Sequence, residues 1–266
     1  MMKLSEYIEK LIARGRCTFT VDDAQKELGK SRAAIILSIE HLRKQRKVAS
    51  PARGFYTIVM PEYRIYECLP AEYFIPYLME YWQIKYYACL VTAASYHGAS
   101  HQQPQIFQLM VEQYRKPIVC GKVKIEFIAN KYLSMYPIQK FATQRSELII
   151  STPETTAMDL VNYPKKCGGL NRIATILDEL QENIRKKELL DLLNIAPHLY
   201  WKQRLGYMLD KLGAEELAQV ILQHLHQIKR VDYIPLNPER KIVANNNYLR
   251  DEDWKIIENS NFESDL

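Results

Sequence analysis

The stretch from Thr20 to Ser31 constrains this chain more than any other. Thr20-Val21-Asp22-Asp23 has the form of a capping box, in which the Thr hydroxyl and the Asp23 carboxylate satisfy early helix N–H groups. The helix begun there runs through Ala24 and Leu28 to Gly29, which can take the left-handed conformation that closes a helix. Ser31 opens another helix two residues later. Helix, tight glycine turn and helix is the geometry that places a recognition helix in a major groove.

The flanking residues extend this into a three-helix head with a hairpin. Leu4, Tyr7, Ile8, Leu11 and Ile12 repeat at helical spacing, and Gly15 ends them. The third helix, from about Arg32 to Arg46, places Ile35, Ile39 and Leu42 on one stripe, with Leu28 beneath. Ser31, Arg32, Ala33, Ile36 and Leu37 lie off that stripe, where a groove would be met, and Arg43, Lys44, Arg46 and Lys47 crowd the C-terminal end. The run from Val48 to Val59 contains two β-prone pieces around a Pro/Gly turn and reads as a hairpin wing with Arg53 near its tip. Ile36 and Leu37 suit either thymine methyls or the surface of a second domain.

Charge supports a polyanion partner for this head alone. Up to Met60 there are twelve Lys/Arg against six Asp/Glu, a net +6, whereas the whole chain is +5 and the remainder therefore −1. A basic helix is also an ordinary solvated face, and winged helices serve as protein-docking modules as well as DNA readers. The three helices, the arginine-tipped hairpin and the charge asymmetry together favour duplex DNA, with Ser31, Arg32, Ala33, Arg43, Lys44, Arg46 and Arg53 as contact residues.

A length of 266 residues suits two domains. The boundary falls between Pro61 and Leu69, taken here as a winged helix-turn-helix domain at 1–64 and an α+β domain at 65–266. In the second domain Tyr73–Trp82 and Tyr86–His97 read as helices, and 106–111 and 123–128 as strands, with weaker strands at 141–143 and 148–150. Thr152-Pro153-Glu154 starts a helix with a cap, a proline in the first turn and an acid. Further helices follow at about 170–182, 186–194, 198–212 and 214–228, and Trp254 in the tail reads as a docking anchor. The fold class is α+β, with a mixed sheet and a helical C-terminal half.

Other classes fare worse. No apolar run approaches the roughly 18–20 residues a membrane span needs, and Glu6 and Glu9 stand where a signal peptide is apolar. Five scattered cysteines without a C-x-x-C pair suit reduced thiols in cytoplasm and reject a zinc site on spacing. Ser95, His97 and His101, with Asp159, invite a nucleophile–base reading, but Ser95 and His97 project about 200° apart on a helix. His97 reads better as a helix-end cap or packing residue. Glu112, Lys124 and Glu126 approximate a nuclease site without its flanking acid, and as a pair Lys124 and Glu126 read better as a solvated strand face. Gly168-Gly169 lacks the strand and lysine of a phosphate loop. No catalytic residue, metal site or cofactor is expected.

Four stretches in order and spacing carry a family resemblance. They are Arg53-Gly54-Phe55-Tyr56, the segment from Tyr87 to Gly98, the strand pair around Lys122 to Phe127, and Ser151-Thr-Pro-Glu-Thr-Thr-Ala-Met-Asp-Leu160 with Gly168-Gly169-Leu170. Up to about residue 230 the chain resembles the AbiEi family of antitoxins from bacterial abortive-infection, type IV toxin–antitoxin systems. The resemblance implies an N-terminal domain that binds inverted repeats in its own promoter and represses the operon. It also implies a C-terminal domain that counters a nucleotidyltransferase toxin without a stable complex. The DNA role carries onto Ser31, Arg32, Ala33, Arg43, Lys44, Arg46 and Arg53; no motif assigns antitoxicity to a side chain. Two features depart from the pattern. The residue between third helix and wing, commonly Gly, is here Arg46 or Lys47, and the tail after Asp232 is poorly matched. Two alternatives stand beside this reading: a winged-helix regulator whose second domain binds a ligand or protein, with no toxin partner, and a winged-helix nuclease.

Overall fold

The head forms around the local signals just described. In the computed structural model, which describes residues 2–100, 104–243 and 247–265, it comprises α1 (Leu4–Ala13), β1 (Thr18–Thr20), α2 (Val21–Leu28), α3 (Arg32–Lys44), β2 (Val48–Ala52) and β3 (Phe55–Ile58). Thr20 Oγ1 accepts from the Asp23 N–H and Asp23 Oδ2 from the Thr20 N–H, both at 3.0 Å. Gly29 ends α2 at φ +62°, its N–H reaching the Gln25 carbonyl. The strands form a sheet in the order β1-β3-β2. Leu4, Tyr7, Leu11, Phe19, Leu28, Ile35, Ile39, Leu42 and Ile58 fill one core between helices and sheet, each fully buried side chain contributing roughly 1.5–3 kcal/mol. Phe19 is stacked on Tyr56 with ring centroids 5.5 Å apart and meets Tyr7 edge-on.

After the head come α4 (Ala71–Trp82), β4 (Tyr86–Ala88), α5 (Leu90–Tyr96), β5 (Phe107–Val111), β6 (Ile118–Cys120), β7 (Val123–Ala129), β8 (Ile138–Ala142) and β9 (Glu147–Ser151). These are followed by α6 (Pro153–Asn162), α7 (Pro164–Cys167), α8 (Leu170–Leu180), α9 (Lys186–Ile195), α10 (Tyr200–Lys211) and α11 (Glu215–His226). Three short strands, β10 (Ile234–Pro235), β11 (Arg250–Asp251) and β12 (Ile256–Ile257), complete an α+β chain. The chain divides into two compact units: 1–88 with 105–133 and 140–149, and 89–104 with 134–139 and 150–266.

The first unit joins the head to α4 and to most of a six-stranded sheet ordered β6-β7-β5-β4-β9-β8. β5 and β7 run parallel from Phe107↔Ile125 to Val111↔Ala129, while β4 and β6 are antiparallel to their neighbours β5 and β7. The helix expected over Tyr86–His97 is here a strand followed by a shorter helix. Tyr86, Tyr87 and Ala88 are all buried and pair with Val111, Met110 and Leu109, so this apolar run packs as a central strand. Leu90, at φ +52°, makes the turn into α5. A short run buried on both faces has no period of its own to separate strand from helix.

The second unit is built on α6 and α10. Every residue of α6 from Glu154 to Val161 is buried, because α5, α8, α9 and α10 pack around it. Its polar side chains are used inside: Thr155 donates to the Pro137 carbonyl, Thr156 to the Thr152 carbonyl, and Glu154 Oε1 accepts from the Arg185 N–H at 3.0 Å. On α10, Gln203 donates to the carbonyls of Asp232 and Trp254, and Arg204 to that of Pro235, so two buried polar side chains hold the tail. Trp254 is buried, donates its indole N–H to Asp210, and lies over Gly206 of α10. Asn245 and Asn246 lie outside the described residues. All five cysteines are buried and outside any disulfide, and no helix among the described residues is long and apolar enough to cross a membrane.

Trp254→Ala should lower unfolding free energy by about 3–5 kcal/mol. Gly206→Ala should act in the same direction, because its Cβ would overlap the Trp254 ring. Urea denaturation checks both, and wild-type midpoints would dismiss the tail as a structural part. A second expectation concerns pH. His97, at the C-terminal end of α5, bonds the Ser151 carbonyl through Nε2 at 2.8 Å, and burial holds its pKa below the ordinary 6.5. Below pH 6.5 the unfolded chain therefore binds a proton that the folded chain refuses, and stability falls as pH drops through that window. Melting temperature should decline from pH 7.5 to 5.5, and His97→Gln, which keeps an N–H donor, should remove that residue's share of the decline.

Candidate nucleic-acid interface

The head presents α3 and the β2–β3 hairpin to solvent. The Ile35, Ile39 and Leu42 stripe is buried, which at 3.6 residues per turn leaves Ala33, Leu37 and Lys44 outermost, with Glu40 beside them. Ser31 caps α3: its Oγ accepts from the Ala34 N–H at 3.4 Å. Arg32 begins the helix, and its guanidinium reaches back to Asp22 at 2.7 Å and to Gln25 at 3.4 Å. The sequence reading left Ile36 and Leu37 two roles; here both are exposed, at 38% and 73%. They form an apolar strip on a surface otherwise suited to polar contact.

At the far end of α3, Arg43 holds Glu40 at 2.7 Å, Lys44 is exposed, and Arg46 pairs with Glu67 at 2.9 Å. Arg46 has φ +55°, the left-handed conformation for which glycine is the common choice at this point. An L side chain there costs about 1–2 kcal/mol. The ion pair with Glu67, itself left-handed at φ +58°, fixes where this costly turn points.

The hairpin tip is pinned. Gly54 turns at φ +79°, and a Cβ on it would stand 2.8 Å from the Tyr81 hydroxyl. Tyr81 of α4 donates to the Arg53 carbonyl at 3.4 Å, and its ring lies 5.6 Å from that of Phe55. The β2 edge abuts β6, where a hydrogen bond from the Cys68 thiol and, after it, one from the Ser50 N–H hold the Cys120 pKa down. The Arg53 side chain is exposed at a tip whose backbone is thus fixed. Sequence reasoning found the arginine but not Tyr81, which is 28 residues away with no local pattern linking them.

The seven expected contact residues therefore occupy two exposed regions, both ends of α3 with its outer face and the hairpin tip. Three arginines already hold surface carboxylates. The candidate catalytic residues are otherwise engaged. Ser95 donates to the Thr92 carbonyl within its own helix, His97 bonds the Ser151 carbonyl, and His101 lies outside the described residues. On β7, Lys124 sits opposite Val119 and Glu126 opposite Gln108. No group of three His, Cys, Asp or Glu among the described residues is placed to hold a metal ion.

A family model for the AbiEi antitoxin C-terminal domain matches residues 86–211. The RV2827C protein from Mycobacterium tuberculosis has a similar structure, with a TM-score of 0.67 over 98% of this chain and 91% of that one. At 16% identity that likeness is one of fold. No curated protein sequence matches. The matched segment includes the central sheet strands, the buried α6 and all of α10. Over that segment the chain is similar to the AbiEi antitoxin C-terminal domain.

Proposed function

We propose that this protein is a DNA-binding transcriptional repressor as well as an antitoxin, the two roles divided between a winged-helix head (1–64) and the remainder (65–266). One observation carries the DNA half. A capped helix, a left-handed glycine and a second capped helix present α3 outward, beside an arginine-tipped hairpin, on a segment of charge +6. The order α1-β1-α2-α3-β2-β3 and its three-stranded sheet support the winged-helix reading. Duplex DNA is the partner that matches the dimensions of an exposed helix flanked by phosphate-binding cations. In this reading α3 enters the major groove of promoter inverted repeats, Arg53 reaches the backbone or minor groove, and the protein represses its own operon.

The antitoxin half follows from the family. The finer proposal is a type IV arrangement, in which a nucleotidyltransferase toxin is countered without a stable complex. A regulator with a ligand-sensing second unit is the other reading. It draws on a cleft of about 420 Å³ lined by Tyr96, His97, Gln139, Thr152, Glu154 and Arg185.

Arg32→Ala and Arg53→Ala should each weaken promoter binding by about 1–3 kcal/mol where they read bases, or cut the salt slope by about one where they hold phosphate. Glu40→Gln should strengthen binding, since it removes a carboxylate from the contact face. Gel shifts on the protein's own upstream region test all three, and unchanged affinity in both arginine variants rejects this surface. Co-expression with a neighbouring nucleotidyltransferase gene should restore growth that the toxin alone arrests. No rescue, or no such gene, would leave the ligand-sensing regulator.

A further inference from the structure

Beside the hairpin tip lies a second cationic surface, of which the contact residues above include only Arg53. A cleft of about 540 Å³ is bounded by Pro51, Ala52 and Arg53 on the hairpin, by Trp82 at the end of α4, and by the 113–118 turn that leads into β6. Arg53, Arg115 and Lys116 line it, and none of its lining residues is acidic; Glu80 and Glu112, nearby in sequence, are outside it. Both halves of the cleft belong to the first compact unit.

Its construction favours phosphate. The Arg115 guanidinium lies over the Trp82 ring, 4.6 Å from the centroid. A guanidinium stacked in this way keeps its edge donors available in a fixed plane, the geometry that binds phosphate oxygens in pairs. Trp82 is in turn steadied by Phe127 of β7, with centroids 6.2 Å apart. Lys116 adds an exposed ammonium, and Tyr114, 74% exposed, offers a phenol at the cleft mouth. The opposite wall is the hairpin tip that Tyr81 holds.

We propose that this cleft binds the phosphodiester backbone of duplex DNA that continues past the hairpin, so that Arg115 and Lys116 extend the interface beyond the head. The proposal rests on the DNA-binding reading above. It accounts for the fixed tip, because a hairpin that moved against the 113–118 turn could not present Arg53 and Arg115 to one strand. It also places two cations of the near-neutral remainder of the chain at the edge of the basic head.

The test uses full-length protein and two duplexes from its own upstream region. One spans a single half-site, and the other is longer by about one helical turn on the hairpin side. Fluorescence anisotropy is measured across a salt series. Wild type should bind the longer duplex more tightly. Arg115→Ala/Lys116→Ala should lose that gain and flatten the salt dependence by nearly two units of slope, at about 0.9 per phosphate contact. Lys116→Gln alone, a change at an exposed side chain, should flatten it by about one, and melting temperatures show that both variants are folded. If wild type binds promoter DNA and the double variant keeps both the gain and the slope, the cleft is not a DNA site, whatever it does to antitoxicity. If wild type binds no promoter DNA at all, the underlying reading and this proposal both fail.

Discussion

The head depends on two left-handed residues that bound its exposed helix. Gly29 at φ +62° and Arg46 at φ +55° set where α3 starts and stops, and so which side chains face outward. The first is cheap, because glycine has no Cβ to clash. The second is not, and its neighbours meet the cost: the Arg46 N–H bonds the Arg43 carbonyl, the Lys47 N–H the Leu42 carbonyl, and the guanidinium holds Glu67. With α3 fixed at both ends, Ile35, Ile39 and Leu42 stay in the core, and Ala33, Leu37 and Lys44 stay out of it. Either the hairpin or the outer face of α3 would shift if one of these turns relaxed.

What could be read from sequence follows the range of the interactions involved. The caps at Thr20, Ser31 and Thr152 join residues three apart, so residue type and spacing specify them, and all three accept as expected. α8, α9 and α11, each with one buried face, announce themselves by periodicity for the same reason. Tyr81 beneath the hairpin tip, Glu67 beside Arg46 and Gly206 under Trp254 are separated from their partners by 20 residues or more, and no local rule encodes them. The Tyr86–Ala88 strand was hidden for another reason. It is apolar on both faces, and only its pairing with β5 reveals it. The cleft cations Arg115 and Lys116 sit in a turn whose charge is ordinary until folding brings it beside Arg53.

The second unit solves a different problem, the burial of polar groups. Gln203 and Arg204 sit inside α10, where an unmatched donor would cost roughly 1–3 kcal/mol, and the tail supplies the carbonyls they need. The tail in turn has little core of its own beyond Trp254, Ile256 and Leu236. Each part thus completes the other, which gives structural work to a tail beyond the matched residues 86–211. Conversely, the polar residues of α6 belong to the segment that carries the resemblance, and their hydrogen bonds lie within the unit. Ser151 to Asp159 therefore maintains architecture first, and an antitoxic surface has to be sought on what this core supports.

The arginines of the candidate interface also bear on selectivity. Arg32, Arg43 and Arg46 each hold a carboxylate within 2.9 Å, and all these groups are substantially exposed. Exposed pairs of this kind contribute about 0–1 kcal/mol, so exchanging carboxylate for phosphate costs little. The acids nonetheless lower the field that the face projects into solvent, and a polyanion that arrives without the right geometry gains less from it. Lys44 and the Arg53 side chain carry no ion pair among the described residues, and they attract at a distance. A surface with two unpaired cations and three paired arginines separates encounter from docking. In the proposed DNA complex the unpaired cations would draw the duplex in at any sequence, and the arginines would release their acids only where phosphates and bases stand in register.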